Sequence, residues 1–214
     1  KEIKLIYMAM RDAEGKLDEM SDQLTCFMVA SISTGLRPSE WAQADLVQES
    51  TGLQLKVVNA KATNGRANGL YRHIHLDGLL EYQVRAIQRT LKNGKVAIQQ
   101  GPDGYCRWQQ RLRNHLRRVA IKALGRRVRY PALYTFRHQF AANAKKSLSQ
   151  EEVAALLGHG STATAGRHYA RASSANGANV VRPSVSEVCT VRAPANARYP
   201  SRRMDQAGKF KTLA

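Results

Sequence analysis

Apolar residues recur at intervals of three and four over Glu2–Ala13 and again over Asp22–Ser33, where Leu24, Phe27, Met28 and Ile32 share one stripe. Both segments are predicted to be helices. Gly35 ends the second, and Pro38 with Ser39 opens a short third. Between Asp45 and Leu76 the period changes. Leu53–Val58 and Leu70–Leu76 read as strands joined by a Gly/Asn-rich connection, Thr63 to Gly69, and Leu46–Gln48 supplies a third strand. Helical periodicity returns over Gly78–Leu91, Asp103–Leu124 and Leu133–Lys146. Ser149-Gln150-Glu151-Glu152 is a capping box that opens a helix through Leu157, and Ser161 can cap a last helix reaching Tyr169. The expected fold is mainly α with a small three-stranded antiparallel β-sheet, an α+β class. After Ala172 the pattern dissolves into Ser173–Asn179, which reads as a linker. Residues 173–214 are therefore expected to form a flexible tail.

Charge changes the picture. The 214 residues carry 34 Lys and Arg against 16 Asp and Glu, a net of +18. So large a surplus costs self-repulsion unless a polyanion offsets it. The distribution is uneven: residues 1–50 hold five basic and nine acidic side chains, residues 101–150 twelve and one. On the helix over Asp103–Leu124, Arg107, Arg111, Arg118 and Lys122 fall along one side and Leu112, Leu116, Val119 and Ala123 on an opposing stripe. No acidic residues interleave as i,i+4 partners, which favours a surface that tracks nucleic-acid phosphates over a merely solvated face. No run approaches the roughly 18 apolar residues of a membrane span, so the expected polyanion is nucleic acid, not a bilayer. Cys26, Cys106 and Cys189 are odd in number, widely spaced and in no CxxC pair. They read as reduced thiols of a cytoplasmic protein. The opening Lys1 reads as the start of a fragment or processed chain.

Several chemistries lack their residues. There is no P-loop, HExxH, GxSxG or paired-carboxylate motif. Acidic side chains are sparse where the chain is most basic, which argues against a nuclease that holds Mg²⁺ with carboxylates. What remains is an ordered set. Thr34-Gly35-Leu36-Arg37-Pro38-Ser39-Glu40 sets an arginine at a helix junction, where it can also pair with Glu40. Lys61 follows a strand. Tyr134-Thr135-Phe136-Arg137-His138 sets a second arginine on a helix. Leu156-Leu157-Gly158-His159-Gly160 ends a helix in a histidine that can equally be a cap, and Arg167-His168-Tyr169-Ala170 follows.

In order and local wording these segments resemble the catalytic domain of the tyrosine recombinases, the phage-integrase family, over residues 1–172. That resemblance implies a domain that cuts and rejoins double-stranded DNA through a 3′-phosphotyrosine intermediate, without metal, ATP or other cofactor. It implies Arg37 and Arg137 as phosphate-binding arginines, His159 as a further phosphate ligand, Lys61 as the acid for the leaving oxygen and Tyr169 as nucleophile. A guanidinium fork donating to two non-bridging oxygens suits the charge spread over a phosphoryl-transfer transition state. A phenol, with a pKa of about 10, needs such cationic surroundings to attack as phenolate. Lys56 is the rival to Lys61, but a mid-strand position fixes its side chain to one face. The resemblance further implies integration or recombination for a mobile element, a homo-oligomer assembled on DNA, a tail that docks on a neighbouring protomer and a DNA-binding domain upstream of Lys1.

Two departures stand out. Tyr134 occupies the position where the family usually has His or Lys, and a tyrosine is a poor base near neutral pH. The interval from His159 to Tyr169 is one residue longer than the commonest spacing, with Gly166 inside it. The competing readings are a type IB topoisomerase-like enzyme and a DNA-binding relative whose catalysis is weakened.

Overall fold

The computed structural model describes residues 2–60, 67–163, 172–177 and 180–192, and the backbone of 203–204 and 210–211. In chain order the elements are α1 (Glu2–Ala9), α2 (Glu19–Thr34), a 3₁₀ turn (Pro38–Gln43), β1 (Ala44–Glu49), β2 (Gly52–Val58), β3 (Tyr71–His75), α3 (Glu81–Gln99), α4 (Gly104–Leu124), α5 (Leu133–Ser147) and α6 (Gln150–Leu156). They are followed by β4 (Arg182–Pro183) and α7 (Val185–Cys189), with a separate antiparallel pair, β5 (Arg203–Met204) and β6 (Phe210–Lys211). Mainly helical with a small antiparallel sheet, this is an α+β chain.

Helix ends follow local chemistry. α2 begins where the Asp18 carboxylate accepts from the Ser21 amide at 2.7 Å and stops at Gly35, which takes a left-handed conformation (φ 70°). A Cβ at Gly35 would strike the Phe140 ring, so the position also sets how closely α5 approaches. α1 ends at Ala9, four residues short of the expected Ala13. The Asp12 carboxylate there accepts from the amides of Glu14 and Lys16, and this turn outcompetes another helical turn. α3 runs past the expected Leu91 through Asn93 and Gly94. Gly94 is buried against the Tyr105 and Trp108 rings of α4, where a small residue is what close packing needs. The Ser149 capping box forms as read, with hydroxyl and Glu152 carboxylate each taking the other's amide.

One hydrophobic core joins the helices to one face of the sheet. Phe27 of α2 packs edge-on to Trp108 of α4 and tilted on Trp41, with centroids 6.2 and 6.4 Å apart. Leu55, Val57 and Ile74 close it from the sheet, all wholly buried. On α4, Trp108, Leu112, Leu116 and Val119 face this core while Arg107, Arg111, Arg118 and Lys122 are exposed. At 100° per residue the basic stripe lies beside the buried stripe, about a quarter-turn away, not opposite it. The outward face carries Arg113 and Arg117.

The sheet corrects the sequence reading. It has four strands in the order β1-β2-β3-β4, all antiparallel, not three. The fourth comes from the segment expected to be a loose tail. Ile74 pairs with Pro183 and His75 with Arg182, Val181 is wholly buried, and β4 and α7 both pack on α6. Glu187 of α7 accepts from the His73 amide at 2.7 Å, and its carbonyl accepts from the Asn68 side chain at 2.6 Å. Residues 180–192 are thus tied down by a sheet edge and by polar contacts with residues more than a hundred positions away. Of this segment, local hydropathy marks only the short apolar cluster Val185 to Val191, whose Val191 is buried against Ala154 and Ala155.

Candidate active site

Two helix ends and a hairpin converge on Glu40. Gly35 turns the chain out of α2, and Pro38 starts the 3₁₀ turn that brings Glu40 back against Arg37. The Glu40 carboxylate accepts from the Arg37 amide at 2.7 Å and from Arg37 Nη1 at 2.6 Å. From β3, Arg72 donates Nη2 at 2.7 Å and Nη1 at 3.2 Å. Four donors occupy what one carboxylate can accept. A third guanidinium, Arg137 of α5, stands with Nη1 3.6 Å away. Glu40, Arg72 and Arg137 are 2%, 1% and 0% exposed and Arg37 is 9%, so Arg37 is the member of the group that solvent reaches.

Arg137 is held by two helix C-termini. Its Nη1 donates to the Gly35 carbonyl at 2.5 Å, and its Nη2 to the Leu157 carbonyl, at the end of α6, at 2.7 Å. Carbonyls at helix C-termini carry partial negative charge and suit a buried cation. The end of α6 is a Schellman motif: Gly158 is left-handed (φ 64°), its amide donates to Ala155, and the His159 amide donates to Ala154. The cap expected for His159 is therefore formed by its backbone, which leaves the ring for the cluster. His159 Nε2 lies 3.4 Å from Arg137 Nη2 and can only accept from it, which assigns the ring proton to Nδ1. Gly158 is required twice over, because a Cβ would strike Asn59 Oδ1 and Arg72 Nη1.

The electrostatics follow from this crowding. Burial raises the Glu40 pKa, but Arg72 leads three guanidiniums that outweigh it and hold the carboxyl far below its ordinary range. Burial, then Arg137 and Arg37, push His159 down to about 2, so the imidazole is neutral at physiological pH. Among the described residues, three guanidiniums meet one carboxylate in this poorly solvated site. Their donors are held in place, those of Arg37 and Arg72 by Glu40 and those of Arg137 by the Gly35 and Leu157 carbonyls.

Arg37, Arg137 and His159 are thus brought together from positions spread over more than 120 residues. Tyr134 is half-buried on α5, and its ring meets His138 edge-on with centroids 5.1 Å apart. Lys61 and Tyr169 lie outside the described residues. Lys56, in the middle of β2, extends over the exposed Tyr71 ring, 4.6 Å from its centroid. Among the described residues no three His, Cys, Asp or Glu side chains gather as a metal site, and no helix is long and apolar enough to cross a membrane.

Sequence reasoning passed over Arg72 and Asn59. Arg72 shares the buried face of its strand with Ile74 and Leu76, and a charge on an apolar face was the available signal. Asn59 accepts from Arg72 Nη1 and donates to the carbonyls of Asn68 and Gly69, both at 3.0 Å. It closes the base of the β2–β3 connection, the one that contains Lys61. No protein-family model, curated protein or solved structure matches the chain.

Proposed function

We propose that this chain is the strand-cleaving domain of a DNA recombinase of the tyrosine-recombinase type. Arg37 and Arg137 bind the scissile phosphate with His159 beside them, Tyr169 attacks phosphorus, and Lys61 protonates the departing 5′-oxygen. The phosphotyrosine bond conserves the energy of the broken phosphodiester, so a second DNA hydroxyl can displace the tyrosine without ATP. The observation that carries this reading is the convergence of Arg37, Arg137 and His159 on one cluster around Glu40. Glu40 contributes by fixing the guanidiniums before substrate arrives, which lowers the reorganisation cost of reaching the transition state. Site-specific integration or recombination by an oligomer on DNA is the activity expected of such a domain.

A nicked duplex from which cleavage releases a short segment bearing the new 5′-hydroxyl traps the covalent adduct and tests the proposal. The wild-type chain should accumulate it, and Tyr169→Phe should form none. An adduct in the Phe variant overturns the assignment. Relaxation of supercoiled DNA without site preference would select a type IB topoisomerase-like activity instead. A second reading, a duplex-binding relative that does not cleave, is favoured by the complete burial of Arg137 and by its donation to two main-chain carbonyls. Salt-sensitive duplex binding with no adduct would select that reading.

A further inference from the structure

An open cleft of about 560 Å3 lies between α1, the turn after it and the C-terminal half of α4. Its size falls within the roughly 300–1,000 Å3 of small-ligand sites, and it shares no lining residue with the Glu40 cluster. Four cationic side chains line it: Arg11 and Lys16 from the turn, Arg118 and Lys122 from α4. Two carboxylates line it as well, Asp12 and Asp18. Asp12 accepts from the amides of Glu14 and Lys16, and Asp18 from that of Ser21. Lys16 is matched by Glu14 at 2.6 Å, and Arg11 rests on the Tyr7 ring. Among the described residues neither Arg118 nor Lys122 is paired with a carboxylate.

The Arg118 guanidinium is also held in place. His115, only 7% exposed, accepts from Arg118 Nη2 at Nδ1 (3.1 Å), so its Nε2 carries the proton and donates to Ser21 Oγ at 2.9 Å. A buried imidazole spends both nitrogens to aim a solvent-facing guanidinium, with Lys122 one helical turn further on. A fixed fork next to a flexible ammonium is the donor set that a tetrahedral oxyanion takes.

We propose that this cleft binds a phosphate group, with Arg118, positioned by His115, and Lys122 as its principal donors and Arg11 opposite them. The group belongs to a nucleic-acid backbone or to a free phosphate compound, since the recognition chemistry is shared. The inference does not need strand cleavage, because the cleft shares no residue with the proposed catalytic set.

The test follows the His115 ring signals of the full chain by NMR during titration with inorganic phosphate, a nucleoside monophosphate and a 20-base-pair duplex. Perturbation by the small phosphates assigns the site to a free compound. Perturbation by the duplex alone assigns it to the DNA or RNA backbone. Either result supports the proposal. Lys122→Gln leaves the His115–Arg118 pair intact and should weaken the effective ligand about 5- to 10-fold. For a duplex, the salt dependence should become shallower by about one. The charge-matched Arg113→Gln, on the other side of α4, should do neither. No perturbation by any of the three, or equal losses in the two variants, overturns the proposal.

Discussion

The Glu40 cluster and the basic stripe of α4 are built largely from the same residue, yet arginine does different work in each. In the cluster Arg37, Arg72 and Arg137 have lost most of their water and are compensated by one carboxylate and two helix ends. On α4, Arg107 and Arg111 are exposed and keep their hydration, and Arg107 donates to the Gln100 carbonyl. Coulomb interactions strengthen as the surrounding dielectric falls, and so does the cost of leaving a charge unmatched. The cluster should therefore behave as a unit whose parts cannot be removed singly. The stripe should behave as a sum of weak, independent contributions to binding.

Removing the shared anion should have the largest effect. Glu40→Gln leaves three guanidiniums crowded together, and chemical denaturation should show a loss of about 3–5 kcal/mol, the range for breaking a buried ion pair. A loss below about 1 kcal/mol would place the cluster with the stripe.

Arg37→Ala separates catalysis from stability within the cluster. Arg37 is the most exposed member, and Glu40 keeps its Arg72 and main-chain donors in that variant. Single-turnover cleavage of the nicked substrate should fall about 10²- to 10³-fold, with a stability loss smaller than that of Glu40→Gln because Arg72 still pairs with the carboxylate.

Acid should unmake the cluster before it touches the stripe. His159 is held neutral in the folded chain down to about pH 2, whereas its unfolded value is 6.5. Between those values the unfolded chain binds the extra proton, so stability falls as pH drops below about 6.5. Glu40, lowered from 4.5, adds a second loss in the same direction below that pH. Denaturation midpoints from pH 7 to 4.5 should decline for the wild type and flatten in His159→Asn. A wild-type midpoint constant over that range would contradict the buried, neutral imidazole.

The smallest stability effect is expected on α4. Arg107→Gln with Arg111→Gln should change stability by no more than about 0.5 kcal/mol, and the log–log salt slope of duplex binding should fall by about two.

Much of this architecture was legible in the chain. The helices over α2, α4 and α5, the β2–β3 pair and the Ser149 cap each rest on local periodicity or on side-chain chemistry within four residues. Arg37 and Glu40 are likewise neighbours in sequence, and their pairing was open to reading from the turn that contains them. The fourth strand was not legible, because Arg182 and Pro183 have no strand-like pattern and pair only where β3 offers an edge. Nor was the extension of α3 through Gly94, where burial against Trp108 overrides a poor local propensity.

By itself the sequence determined the helical periods, the caps, the concentration of positive charge and the order of the candidate catalytic residues, all of which are fixed by near neighbours or by composition. Only the tertiary structure decided that Arg72 joins Arg37 and Arg137 on one carboxylate, that His159 is neutral, that residues 180–192 complete the sheet, and that Arg118 is aimed by a buried His115. Those outcomes depend on the dielectric and donor geometry that distant segments create when they pack together, and no local window of residues contains either.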